Sequence, residues 1–205
     1  MSRLLALAAA CIALVACASS PSSVAPVAPS IGAAGEDQFT SLLQTGVSYD
    51  FEPTDGPEAA ARQADLVVVG TIKDVVAGRS LPYGRSNNQA NLVIAVQRVV
   101  KGQAADAVFV EVEQPAGVSL EDLRAAVPKG RVALFLDDRT GIVASGPETG
   151  RPAGSAVHTP MIDGFIIESG DTWLGGLVSR DDMSSSWKAL GGFDELVKAS
   201  ESQGG

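Results

Sequence analysis

The sequence predicts a mainly β fold, in which a small β-barrel carries a short helix between two of its strands and a helix at its carboxyl end. Runs rich in Val and Ile recur from Leu66 onward. Gly, Pro, Asn and Asp cluster between these runs, as they do at turns between strands. Short strands separated by frequent turn signals are typical of β-sandwiches and β-barrels.

The composition indicates a globular protein and excludes several classes of site. The chain has 205 residues and is 45% hydrophobic, which suits one domain or at most two. With 15 basic against 24 acidic residues its net charge is −9, which disfavours nucleic-acid binding. One His and two Cys are too few for most metal sites and for redox dithiols. We therefore expect neither a bound metal nor a cofactor.

The first helix signal of the folded part follows an ambiguous stretch. Residues 36–56 fit either a helical turn or an extended piece. Residues 57–64 predict a helix, because Asp55 can cap its amino end and Pro57 suits its first turn.

β-Branched runs after this helix predict six strands. Gly70 interrupts the first run and predicts a bend or bulge there. In the third run Glu111 and Glu113 alternate with valines, so we expect a half-buried strand with an acidic outer row. The last two runs form a hairpin pattern around 169–171. The expected strands span 66–76, 91–100, 108–113, 131–136, 163–168 and 172–178.

Two further helices are expected among and after the strands. The stretch 119–123 has the pattern of a capping box that opens a short helix, and 128–130 close it. The last helix spans 184–200, and Gly191 and Gly192 break or kink it.

The amino terminus carries a secretion signal. After the basic Arg3, residues 4–14 are apolar but too short to span a bilayer, which takes about 20 residues. Residues 14–17, Leu-Val-Ala-Cys, resemble the lipobox of bacterial lipoproteins. The resemblance implies cleavage before Cys17 and attachment of a diacylglyceryl group to its sulfur.

This anchor sets the expected domain organisation. Residues 1–16 are a signal peptide, 17–35 are the lipidated cysteine with a disordered Ala/Ser/Pro tether, and 36–205 are a single β-barrel-like domain. We expect the protein to be lipid-anchored at the extracytoplasmic face of the cell membrane or of the outer membrane. In an organism with two membranes, Ala18 after the cysteine resembles an outer-membrane sorting signal. The alternative is a secreted soluble protein, since 16–18 also fit the general signal peptidase.

Three segments together carry a second resemblance. Residues 64–72, 96–102 and 131–136 have the strand hydrophobics, Lys-Gly turn and spacing of an OB-like barrel seen in uncharacterised bacterial secreted proteins. The set is more remotely similar to the netrin-like barrel of the tissue inhibitors of metalloproteinases. The disulfides of those inhibitors are missing here, and their inhibitory amino-terminal cysteine has no usable counterpart, because Cys17 would be acylated and held at the membrane. The resemblance therefore implies the fold and not protease inhibition.

Residues with catalytic potential are sparse. His158, the single histidine, has neither an orienting acid nor a nucleophile beside it in the sequence. We expect it on a loop or at a strand edge. The carboxylate pairs 137–138 and 181–182 lack the spacing of a calcium loop and are expected to be solvated.

One loop gives a weak signal for ligand binding. Arg79, Tyr83 and Arg85 share a segment rich in Gly, Pro and Asn, residues 78–90. Loops of this kind carry the binding sites of OB-type barrels.

These features predict a non-catalytic binding or interaction module at the cell envelope. Its membrane contact is the anchor on Cys17, and its partner is an envelope protein rather than a nucleic acid. One alternative is an envelope hydrolase that uses His158 with nearby carboxylates such as Asp163; it requires His158 in a pocket, within hydrogen-bond reach of an acid and a nucleophile. The other is a structural spacer, which would have no exposed apolar patch.

Overall fold

A computed structural model describes residues 33–80, 88–140 and 150–201. Six strands form one sheet in this part of the chain, so the fold is mainly β, as predicted. The elements are α1 (Ala33–Leu43), α2 (Pro57–Gln63), β1 (Leu66–Ser80), β2 (Asn88–Lys101), β3 (Ala107–Glu113), α3 (Leu120–Ala125), β4 (Val132–Asp138), β5 (His158–Ser169), β6 (Thr172–Gly175), a 3₁₀ turn (Arg180–Asp182), α4 (Ser185–Lys188) and α5 (Phe193–Glu201).

The strands bond in the order β3-β2-β1-β4-β5-β6, and all these neighbours are antiparallel. β3 also forms a parallel bridge to β5, through Val110 and His158. Hydrogen bonding therefore runs round a ring of five strands, and β6 extends the sheet beyond β5.

The bend expected at Gly70 is confirmed. The β1–β2 register shifts between Val69 and Gly70 and again between Ile72 and Asp74. A Cβ at Gly70 would collide with the carbonyl oxygen of Ala95 on β2. Because no other residue fits so close to the neighbouring backbone, glycine allows the long strand β1 to curve.

One hydrophobic cluster fills the interior of the ring. The inward side chains of β1 to β5 meet there, and α1 and α3 cover it with Phe39 and Leu123. Its largest fully buried strand residues are Leu92, Ile94, Leu134, Leu136 and Phe165.

A second cluster lies on the opposite face of β1, β4, β5 and β6. Val67, Phe135 and Trp173 contribute from the strands, and α2, α4 and α5 cover them. The Trp187 ring of α4 lies 5.6 Å from the Phe135 ring and 6.3 Å from the Trp173 ring. Residues 66–70 of β1 and 132–136 of β4 are buried on both faces, and these stretches are correspondingly continuous apolar runs.

The structure changes two details at the amino side of the sheet. α1 begins at Ala33, so it includes residues that the composition assigned to the tether. Asp55 does not cap α2, whose N-cap is Gly56. Asp55 instead accepts a hydrogen bond of 2.7 Å from the Ser186 hydroxyl. The position of Asp55 just before α2 suggested that it caps this helix. Its carboxylate instead binds Ser186, which is far away in the sequence.

The other helix signals are confirmed. Ser119 and Asp122 form the capping box of α3. α4 and α5 are separate helices, and Gly191 and Gly192 lie between them. Within the described ranges, no helix has the length and apolar content to cross a membrane.

Candidate functional site

Arg79, the first candidate binding residue, lies near the end of β1 and is largely buried. Its Nε donates to Oε2 of Glu111 over 2.8 Å, and the two side chains form an ion pair. They are 15% and 3% exposed. Glu111 lies on the outer side of β3 as expected, but it is buried rather than part of an exposed row of charges. The alternation with valines is correct, but a cation two strands away covers and neutralises the carboxylate.

Asn91 of β2 lies between these two strands. In the register it pairs with Val76 on one side and with Glu111 on the other. Its Nδ2 donates to the Ala77 carbonyl over 3.2 Å, whereas its buried Oδ1 has no hydrogen-bond partner among the described residues. We call Arg79, Asn91 and Glu111 the polar row. It lies on the sheet face opposite the ring interior, because Leu92 and Val110, the next residues along, point inward.

The chain that leads into β5 crosses the same strands. Gly150 has a φ of 84°, and a Cβ there would lie 2.8 Å from Cβ of Val76. Arg151 is buried, and its Nη1 donates to the carbonyls of Ser155 and Ala156 over 3.0 and 3.3 Å. Gly150 therefore lies against Val76, the register partner of Asn91, while the Arg151 hydrogen bonds stabilise the turn of residues 151–156.

A pocket of about 210 Å³ opens where this segment approaches β3. Ala107 and Phe109 of β3 form one wall, Ala105 lies in the turn before β3, and Ser155 and His158 come from the chain entering β5. The pocket lies at the seam where the single bridge between β3 and β5 closes the ring.

His158 is the first residue of β5 and is half-buried in this pocket. Its Nδ1 is buried and has no hydrogen-bond partner in the described part of the chain. Burial lowers the pKa of the imidazole, and the charges of Asp138 and Asp65 act in the opposite direction. A lowered pKa means that His158 is neutral at pH 7.

The groups around His158 are engaged elsewhere. Ser155 Oγ donates to the Pro152 carbonyl over 2.8 Å. Asp138 accepts from the Thr140 amide over 2.8 Å, and hydrogen bonds from the Thr140 hydroxyl and amide lower the pKa of this carboxyl. Ser155 thus shares the pocket with His158 without forming the chain of hydrogen bonds that activates a serine.

Asp163, the carboxylate expected to assist His158, has another role. Although it is 2% exposed, its Oδ2 accepts from the amide and the hydroxyl of Thr54 over 2.6 and 2.8 Å. The indole of Trp187 donates to the same hydroxyl over 3.1 Å. Asp163 therefore fixes the segment before α2 to β5 and α4.

A larger groove, of about 590 Å³, lies between residues 44–53 and 177–182. Gln44, the residue after α1, donates to the carbonyl of Gly175 over 3.1 Å and so links this segment to the end of β6. Tyr49 packs against both hydrophobic clusters. Burial, with a smaller effect from the Glu113 charge, raises the pKa of Tyr49 to about 12.

Three of the predicted site residues, Cys17, Tyr83 and Arg85, lie outside the described ranges. Within those ranges, no group of His, Cys, Asp and Glu side chains is arranged to hold a metal ion. Of the adjacent carboxylates, Asp137 contacts Arg139 over 3.3 Å, and Asp181 lies in the first turn of the 3₁₀ helix.

Sequence reasoning missed Asn91 and Arg151. Neither belongs to a motif: the strand register alone places Asn91 opposite Glu111, and Arg151 follows Gly150, which lies against Val76. The single available signal was Glu111 itself, a carboxylate in a strand otherwise rich in valine.

Comparison of the chain with protein-family models and with curated proteins gives no match. The assignment of function therefore depends on the residues and the geometry described above.

Proposed function

We propose that this chain is an extracytoplasmic lipoprotein whose β-domain is a non-catalytic binding module at the cell envelope. Acyl chains on Cys17 hold it at the membrane, and the segment up to Ala33 separates the domain from the lipid. The lipobox-like residues 14–17 support the anchor. One chain of about 14 carbons binds a bilayer only marginally, so two or three chains on one cysteine are needed for stable anchoring.

We also propose that the fold is OB-like. The support is the connectivity: β1, β2 and β3 form a meander, α3 follows β3, and β4 pairs with β1. β5 then pairs with β4 and closes the ring beside β3. Five strands linked in a partly open ring are the layout of that fold.

An OB-like fold gives the binding module its site. OB-folds bind ligands on the face of strands 2 and 3 and with the loops after strands 1 and 4. Here that face carries the polar row and the His158 pocket. The observation that supports the proposal is the pocket of about 210 Å³ beside β3, whose lining includes His158 and Phe109 and so offers a partner both a polar and an apolar contact.

The anchor is tested with labelled palmitate in the bacterial host. We expect label in the wild-type chain and in the Cys11→Ser variant, because Cys11 lies in the signal peptide. Cys17→Ser is expected to lose the label and to leave the membrane fraction. An unlabelled wild-type chain, or a Cys17→Ser variant that still sediments with membranes, contradicts the anchor and favours ordinary secretion.

The binding face is tested by site-specific photo-crosslinking in living cells. A photoreactive amino acid replaces Asn88, which is exposed at the start of β2. The control position is Glu121, exposed on α3. We expect a discrete crosslinked protein from position 88 and none from 121. Equal crosslinking, or none at either position, argues against a binding face there.

A hydrolase remains the second proposal, because His158 and Ser155 line one pocket. It requires Ser155 Oγ to exchange the Pro152 carbonyl for the imidazole. A fluorophosphonate probe reports an activated serine directly. The binding-module proposal expects no labelling, whereas labelling of Ser155 that disappears in His158→Ala would establish hydrolase chemistry.

The structural spacer also remains a proposal. Val99, 39% exposed, is the exposed large hydrophobic residue of the described ranges. A partner would therefore contact polar surface or enter a groove, and crosslinking at position 88 separates such a module from a spacer.

A further inference from the structure

We propose that the groove between residues 44–53 and 177–182 is a second interaction site, and that it binds an extended peptide segment carrying Lys or Arg side chains. This groove shares no lining residue with the His158 pocket. The inference therefore goes beyond the OB-like binding face.

The shape of the groove suits an elongated ligand. Its volume of about 590 Å³ lies within the range of about 300–1,000 Å³ that is usual for ligand sites. Consecutive residues 47–51 line it, so the groove follows the direction of a segment that belongs to neither a helix nor a strand. Tyr49, Phe51 and Leu177 give it apolar surface.

The charge of the groove is negative. Asp50 and Asp182 line it, and its lining includes no Lys or Arg. Both carboxylates are exposed, and neither forms an ion pair with the Lys and Arg side chains of the described ranges. Glu52 and Asp181, the adjacent residues, are also exposed acids.

The nearest cation in the sequence is turned away from these acids. The Arg180 guanidinium lies 4.3 Å from the centre of the Trp173 ring and donates to the Leu190 carbonyl over 2.9 Å. It also donates to the Thr172 hydroxyl over 2.9 Å. Lys188 Nζ donates to the backbone carbonyl of Asp181 over 3.1 Å, and neither Lys188 nor Arg180 forms an ion pair with the Asp182 carboxylate in the described ranges. The Asp182 carboxylate can therefore accept a cation from another molecule.

A basic peptide matches both properties of the groove. The aliphatic stem of Lys or Arg can lie on Tyr49 and Phe51 while the charged end reaches a carboxylate. A compact metal ion does not match, because the described acidic residues do not converge into a metal-holding group. Attraction between the acidic groove and a basic peptide also raises their association rate, which suits a binding module held at a membrane surface.

The test uses the full lipidated chain in a non-ionic detergent. Two fluorescein-labelled hexapeptides serve as probes, one of alternating Lys and Leu and one of alternating Glu and Leu. Fluorescence anisotropy should show saturable binding of the Lys peptide, weakened by salt, and none of the Glu peptide. Hydrogen–deuterium exchange should show protection in 44–53 and 177–182. Equal binding of both probes, or protection elsewhere, overturns the proposal.

Paired charge removals localise the effect. Asp50→Asn with Asp182→Asn should weaken binding of the Lys peptide by roughly fivefold to tenfold, as expected for two exposed ion pairs. The matched control is Asp106→Asn with Glu121→Gln, which removes the same net charge from other exposed positions. It should change the affinity by less than about twofold. If the control weakens binding as much as the groove variant, the Lys peptide is attracted by the net negative charge of the protein and not by the groove, and the proposal fails.

The outcome is separable from that of the first proposal. Crosslinking at position 88 reports the OB-like face, and palmitate reports the anchor. Neither measurement depends on Asp50 or Asp182. Loss of peptide binding in the groove variant with unchanged crosslinking at position 88 would assign two independent surfaces to one domain.

Discussion

At the scale of single residues, the alternating pattern of β3 placed Glu111 on the outer face, but it did not reveal that Arg79 buries and neutralises its carboxylate. Both side chains are largely buried, and the charge of the Glu111 carboxylate is compensated by the Arg79 guanidinium. Removing one partner of such a pair leaves an uncompensated buried charge.

We expect Glu111→Gln to lower the free energy of unfolding by about 3–5 kcal/mol. Replacing both residues, Arg79→Met with Glu111→Leu, should recover much of the loss, because apolar side chains need no counter-charge. Urea denaturation measures both effects. Arg62→Gln is the control, since the Arg62 side chain is 55% exposed in its pair with Glu58, and it should change stability by less than about 1 kcal/mol. A Glu111→Gln change as small as the control would contradict the burial of the pair.

His158 makes stability depend on pH. Burial lowers its pKa in the folded state, so the unfolded chain takes up the proton first as the pH falls. Stability is therefore unaffected above the unfolded pKa of about 6.5 and decreases below it, until the folded pKa is reached. The attraction of Asp138 and Asp65 for the imidazolium limits the loss.

The measurement is urea denaturation of the wild type and of His158→Gln between pH 8 and pH 5. The wild type should lose more stability than the variant below about pH 6.5. Parallel curves for the two proteins would show that His158 is not desolvated in the folded state.

At the scale of elements, Lys101 links the second strand to a helix. It ends β2, and its Nζ donates to the carbonyls of Ala61, Arg62 and Ala64 over 2.9, 3.0 and 2.6 Å. These carbonyls lie at the carboxyl end of α2, where a cation is favourable. The Lys-Gly pair predicted as a turn therefore also caps a helix from a distance.

Lys101→Met is expected to lower the free energy of unfolding by about 1–2 kcal/mol, since it removes charged hydrogen bonds and the interaction with the helix dipole. Chemical denaturation measures the loss, and exchange of the α2 amides should increase. Lys73→Met is the matched control, because Lys73 is exposed on β1. If the two substitutions lower stability equally, the bonds from Lys101 to the α2 carbonyls contribute nothing beyond the loss of one positive charge.

Elements with a strong local signal were predicted well. The capping box at Ser119 and the break at Gly191 were read correctly, because a cap and a helix-breaking glycine act within a few residues. The valine-rich strands were found for the same reason, although β5 begins at His158 rather than at Asp163. The cap expected from Asp55 was wrong, because Ser186, far away in sequence, takes its carboxylate.

At the scale of the whole molecule, the fold is stabilised by its two hydrophobic clusters rather than by covalent links. The two cysteines of the chain, Cys11 and Cys17, both precede Ala33. The described domain therefore contains no thiol that could form a disulfide, although the proposed location is oxidising.

We expect the melting temperature of the mature protein to be the same with and without dithiothreitol. Differential scanning calorimetry measures it directly. A decrease of several degrees in the reduced sample would reveal a covalent link that stabilises the fold. Lysozyme, whose disulfides dithiothreitol can reduce, serves as the positive control.

The sequence by itself determined the properties that follow from neighbouring residues: the mainly β class, the central residues of the strands, the α3 cap and the lipobox-like pattern at Cys17. Periodicity, capping and turn preferences operate over a few residues and can be read from one chain. The tertiary structure decided which distant groups share one environment. It placed Arg79 on Glu111, Lys101 on α2, Asp163 on Thr54 and His158 in the seam of the ring, because strand register and loop crossing depend on packing of the entire chain.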